Sequence, residues 1–129
     1  ETKELLWHKP IGTAKETGPL NIPTRRPLTV GTPQTGGTVT TAGGLIFSAG
    51  AFDNTVRATG LFDGRELWRE PIPFTAQGTP MTYLSPEGKQ TLIVVVPVFN
   101  STRGSGYEPL PAEDEDPLGG YVFAYRLPD

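Results

Sequence analysis

The chain has 129 residues, no cysteine, one histidine and a formal net charge of −3 at pH 7. Without cysteine it can hold neither a disulfide framework nor a thiolate site, and a single imidazole (His8) excludes sites built on several. No basic run exceeds Arg25-Arg26, so the positive stripe of a nucleic-acid surface is missing and no nucleic-acid partner is expected.

Sixteen glycines and fourteen prolines compare with average usage of about 7% and about 5%. Both residues interrupt helices, glycine through backbone entropy and proline through its missing N–H and its ring. The apolar segments between them are short and rich in Val, Ile, Thr and aromatics, which suits strands joined by tight turns. The longest apolar run, Leu92 to Phe99, is too short to span a bilayer as a helix.

In chain order, Glu4–Lys9 is expected as the outer strand of a sheet whose other strands lie outside this sequence, and Thr13–Pro27 as an inserted loop. Thr38–Thr41 is a short β-branched strand, followed by a Gly43-Gly44 turn and a second strand at Leu45–Ala49. Asp53-Asn54 makes the next turn, Val56–Phe62 the third strand, Asp63-Gly64 a hairpin turn and Glu66–Arg69 the fourth strand. Four short antiparallel strands within residues 38–70, closing on a buried Trp68, read as one β-propeller blade. Pro80–Leu84, Leu92–Val96 and Tyr121–Leu127 then supply three strands of a further blade, whose fourth is expected from elsewhere. The chain thus divides into an outer strand plus loop (1–30), a complete blade (31–77) and a final partial blade (78–129) with a long 97–119 loop. The fold class is all-β: part of a propeller.

An internal repeat supports this division. Leu6-Trp7-His8-Lys9-Pro10-Ile11 is matched by Leu67-Trp68-Arg69-Glu70-Pro71-Ile72. Gly31-Thr32-Pro33-Gln34-Thr35 is matched by Gly78-Thr79-Pro80-Met81-Thr82, in the same order. A tryptophan at the blade edge can cover the gap to the neighbouring blade while its indole N–H finds a backbone acceptor.

Outside the repeat the chemistry is sparse. His8, beside Trp7, reads as solvent-facing. Glu113-Asp114-Glu115-Asp116 carries hard oxygen donors but lacks the glycine turn and spaced ligands of a calcium loop; it reads as a solvated loop. Asn100-Ser101-Thr102 matches the glycosylation tripeptide. Gly43-Gly44 is no phosphate loop, since no helix follows and no Lys-Ser/Thr pair stands at the required offset. No catalytic residue and no metal ligand is assigned.

The run from Gly31 through Leu45-Ile46-Phe47, then Asp53-Asn54-Thr55-Val56-Arg57-Ala58, Gly64-Arg65-Glu66-Leu67-Trp68, Gln77 to Tyr83 and the closing Tyr121-Val122-Phe123-Ala124-Tyr125-Arg126-Leu127-Pro128 resembles the C-terminal end of membrane-bound quinoprotein glucose dehydrogenases and their quinate, shikimate and polyol relatives. The resemblance covers the chain from Gly12 onward. It implies an eight-bladed propeller carrying pyrroloquinoline quinone (PQQ) beside a Ca2+ or Mg2+ ion. Such an enzyme oxidises a sugar or polyol hydroxyl by hydride transfer and passes electrons to ubiquinone at the periplasmic face of the bacterial inner membrane, anchored by N-terminal helices. The family's catalytic aspartate lies in earlier blades and maps onto nothing here. The Asp53-Asn54 turn falls at a position belonging to the family's cofactor region, although the pair is equally a hairpin turn in its own right. Where the family has a Gly-Gly-His-Gly motif near the cofactor, this chain has Pro97-Val98-Phe99-Asn100 followed by a Ser101–Leu118 insert. The resemblance therefore makes Asp53, Asn54, Phe99 and Asn100 the cofactor-side candidates, with the histidine absent.

Two functions follow. One is the closing part of a PQQ-dependent sugar or polyol dehydrogenase, with the remainder of the propeller as its partner. In that case residues 1–129 alone hold no cofactor or metal, are inactive and self-associate through open strand edges. The other is a non-catalytic propeller of similar repeats that serves as a protein-binding scaffold.

Overall fold

The computed structural model describes residues 3–14, 25–26, 28–97 and 120–126. Seven strands form in this order: β1 (Thr38–Thr40), β2 (Leu45–Ser48), β3 (Thr55–Gly60), β4 (Glu66–Pro71), β5 (Met81–Leu84), β6 (Gln90–Pro97) and β7 (Gly120–Arg126). They make two antiparallel sheets, β1-β2-β3-β4 and β5-β6-β7, each ordered as in the chain. That meander is the arrangement of a propeller blade. No helix occurs among the described residues.

Alternation assigns the side chains of the first sheet to two faces. The pairs Val39↔Phe47, Phe47↔Ala58 and Ala58↔Trp68 set an apolar row across all four strands. In the second sheet, Leu92↔Tyr125, Val94↔Phe123 and Val96↔Tyr121 set the facing row. The core lies between the sheets. Val56, Val94 and Val96 are fully buried there, with Ile72, Phe74 and Ala76 from the segment that joins them. Trp68 meets Tyr125 edge-on, with ring centroids 5.2 Å apart, an orientation that sets ring edge against π-face. Burial first, and the Glu70 carboxylate second, raise the Tyr125 pKa above its usual value of 10.0.

The other two faces differ in character. Beyond the core, the second sheet exposes Met81, Val95 and Val122. On the first sheet the corresponding row is Ser48↔Arg57↔Arg69, which is polar, and residues 9–13 lie across it. Trp7 enters on that side. Its indole N–H donates to the Leu61 carbonyl at 2.8 Å, and its ring lies so close over Gly64 that a Cβ there would sit 2.7 Å from ring carbons. Gly64 also has φ +65°, a conformation that glycine adopts without steric cost.

Two details depart from the sequence expectation. Residues 3–11 form no strand; a ladder needs a partner, and Glu4–Lys9 has none among the described residues. Trp68 is half-buried rather than buried, since it packs at the margin of the core and meets Tyr125 edge-on. Within the expected loop Thr13–Pro27, Thr13 and Ala14 lie beside the 28–29 segment through the Thr13↔Thr29 bridge and an Ala14 N–H to Leu28 carbonyl bond of 2.9 Å.

The Trp7–Gly64 contact sets an order of sensitivity. In the complete protein, Gly64→Ala adds backbone strain and a clash, and is expected to cost about 2 kcal/mol or more. Trp7→Phe keeps a ring and loses one hydrogen bond, for about 1 kcal/mol. Urea unfolding of both variants checks that order.

Candidate functional site

The β2–β3 connection carries the only sequence-predicted site residues that lie among those described; Phe99 and Asn100 fall outside them, as does Glu113–Asp116. Asn54 has φ +52°, a left-handed conformation that Asn tolerates better than most residues. With the chain turned this way, Asp53 and Asn54 bond to opposite sides. Asp53 Oδ2 accepts from the Thr13 N–H at 3.1 Å, forty residues upstream. The Asn54 carbonyl accepts from the Ile72 N–H at 2.8 Å, and its side-chain Oδ1 accepts from the Thr75 hydroxyl at 2.7 Å. The turn joins the segment before the first sheet to the segment after it.

Asp53 is also charged against Arg57. The two side chains form an ion pair in which each is 5% exposed. Arg57 Nε reaches Glu66 Oε2 at 3.2 Å, its Nη1 donates to the Thr55 carbonyl at 3.2 Å, and Glu66 pairs onward with the more exposed Arg69. Opposite charges therefore alternate from the buried turn to the surface. Burying a carboxylate is tolerated only when its charge is answered, and here Arg57 answers it. One atom is left over: Asp53 Oδ1 is buried and accepts no hydrogen bond from the described residues. An acceptor in that condition costs about 1–3 kcal/mol unless something fills it.

The repeat motifs serve this arrangement. In the first Gly-Thr-Pro stretch, the Thr32 N–H donates to the Ile11 carbonyl at 2.9 Å, and Thr32 Oγ1 accepts from the Phe52 N–H at 3.1 Å. The Thr35 hydroxyl reaches the carbonyls of Gly50 and Ala76 at 3.3 and 3.2 Å. Gly36 and Gly50 touch backbone to backbone, leaving no room for a Cβ at Gly50. These contacts fix the loop that bears Asp53. A cleft of about 280 Å3 opens between residues 9–13 and the polar face of β3 and β4. His8 is exposed and lies outside the network. Among the described residues no three His, Asp or Glu side chains are grouped to hold a metal ion.

Arg57, Glu66, Thr13 and Thr75 were not marked as site residues by sequence reasoning. The available signal was Arg57 itself, a charge standing between Val56 and Ala58 in a strand of core residues. A cation at such a position requires an acid nearby, and Asp53 stands four residues away.

Comparison with known proteins agrees with this architecture. The family model described as PQQ, glucose/ethanol/alcohol dehydrogenase, beta-propeller domain, matches residues 1–92. The chain belongs to this family of PQQ dehydrogenase β-propellers. Among its relatives are a probable quinate dehydrogenase (quinone) of Xanthomonas campestris pv. juglandis, 38% identical over 130 residues, and the quinoprotein glucose dehydrogenase of Escherichia coli, 36% identical over 129. A quinate/shikimate dehydrogenase (quinone) of Acinetobacter baylyi is 38% identical over 128 residues. The alignments cover 98–100% of this chain but 14–15% of these relatives, so the chain spans about 15% of their length.

The bonds of the turn rank its substitutions. Asn54→Gly keeps the backbone and loses the Thr75 bond, whereas Asn54→Ala also strains φ and is expected to cost about 1 kcal/mol more. Asp53→Ala is expected to cost about 3 kcal/mol, the low end for breaking a buried pair, because Glu66 still partners Arg57. Urea midpoints of the three variants in the complete protein give the ranking.

Proposed function

We propose that the chain forms part of the cofactor-binding propeller of a PQQ-dependent dehydrogenase acting on a polyol, sugar or cyclic hydroxy acid. The observation that carries this reading is the four-stranded meander β1-β2-β3-β4, the form of a propeller blade, with the Asp53-Asn54 turn at the place that the resemblance assigns to the cofactor region. PQQ, when bound, supplies the two-electron oxidant that takes a hydride from a substrate carbinol.

The chain's own residues orient. Asp53 is held by Arg57 and the Thr13 N–H, and Asn54 has its side-chain oxygen on Thr75, so both support the turn. Phe99 and Asn100 belong to the same reading as the residues standing where relatives carry a histidine motif, and so as the place where substrate preference departs. We assign none of the described residues to the Ca2+ or Mg2+ ion expected beside the cofactor. Electron delivery to ubiquinone at the periplasmic face of the inner membrane is part of the proposal. So are the inactivity of residues 1–129 alone and their self-association through the open edges of β1, β4, β5 and β7.

The test is an electron-acceptor dye assay on the full-length protein, loaded with PQQ and Ca2+ and offered quinate, shikimate, glucose and glycerol. Dye reduction is expected with at least one of them, and none from residues 1–129 under the same conditions. A full-length protein that neither binds PQQ nor reduces the dye would sink the reading. It would leave the non-catalytic scaffold in its place.

A further inference from the structure

The polar face of the first sheet carries more cations than acids. Arg57 and Arg69 stand in register on β3 and β4, and Lys9 lines the same cleft from the segment that crosses them. Two carboxylates answer these three charges. Asp53 pairs with Arg57. Glu66 is divided, with Oε2 on Arg57 and Oε1 on Arg69. Lys9, half-buried, has no carboxylate of its own among the described residues. Arg69 sets both Nε and Nη2 on the one Glu66 oxygen, and its side chain is still 61% exposed. One positive charge on this face is left over.

In a propeller each blade is packed between two others. The second sheet covers one face of the first. The polar face is left for a neighbour outside these residues, since the chain spans 14–15% of its relatives' length. We propose that this neighbouring blade brings a carboxylate side chain into the cleft, where it pairs with Arg69 and Lys9. Docking strips water from the cations, and a charge desolvated without its counter-charge is strongly unfavourable. An apolar row such as Met81, Val95 and Val122, exposed on the second sheet, would leave the surplus unanswered. An acid answers it, and a guanidinium with one edge open takes a carboxylate by two parallel bonds. The two open faces of this pair of sheets are thus unlike, one basic and one apolar. Each calls for a different neighbour.

Arginine labelling of the full-length protein with phenylglyoxal, read by peptide mass spectrometry, tests whether the cleft is filled. Arg65, with its side chain 74% exposed, is the internal reference. Arg69 is expected to label at least about tenfold more slowly than Arg65, because a covered guanidinium reacts only when the interface opens. Added succinate is expected to leave that rate unchanged. Thermal midpoints then show whether the cover is an acid. If Arg69 served Glu66 alone, Arg69→Gln would be silent in a Glu66→Gln background. With a carboxylate arriving from the next blade, it is expected to lower the midpoint there too, and Arg69→Lys to lower it less. Labelling of Arg69 as fast as Arg65, whether or not succinate slows it, would show a cleft open to free anions and overturn the proposal. So would a protected Arg69 whose loss is silent in the Glu66→Gln background.

Discussion

A buried carboxylate that must be neutralised where it stands is the constraint around which this part of the molecule is arranged. Asp53 sits in the turn between β2 and β3 with its side chain 5% exposed. Leaving such a charge unpaired costs several kcal/mol. Arg57 supplies the counter-charge from the polar face of β3, which in turn makes that face of the first sheet unlike its neighbours. The core between the sheets can then be built from aliphatic and aromatic side chains, from Val39 and Phe47 to Val94 and Val96.

The turn is also where successive repeats are tied together. Asp53 bonds backward to Thr13, while Asn54 bonds forward to Ile72 and Thr75. Trp7 makes a parallel connection at the hairpin end, over Gly64. The upstream segment is therefore tied to the first sheet at both ends of β3. Such geometry couples the position of Asp53 to that of the upstream segment, since a shift there moves the Thr13 N–H from which its carboxylate accepts. A cofactor site built on that turn gains rigidity from scaffold contacts already in place.

Much of this was legible from residue patterns because the elements are local. Strand β3 is flanked by Asp53-Asn54 and Asp63-Gly64, so turn chemistry located it to within two residues. Trp7 and Trp68 announced the repeat, and the indole-to-carbonyl contact expected of such a residue is the one Trp7 makes. Pairing with distant segments was less visible. Glu4–Lys9 has the pattern of an outer strand, but pattern cannot supply the neighbour that a ladder requires. The Asp53–Arg57–Glu66 network escaped for a related reason: the pattern shows alternation along β3, not which acids the folded chain brings to its polar face. The resemblance directed attention to Asp53 and Asn54 together, yet their bonds separate them. Asn54 Oδ1 is committed to Thr75, and Asp53 Oδ2 to Arg57 and Thr13.

The Asp53–Arg57 pair is the point on which this arrangement turns. A crystal structure of the full-length protein with PQQ bound measures its surroundings directly. The expected result is Arg57 on Asp53 Oδ2, with the Asp53-Asn54 turn in the wall of the cavity that holds the cofactor. A structure with this pair broken and the cofactor bound away from the turn would contradict it.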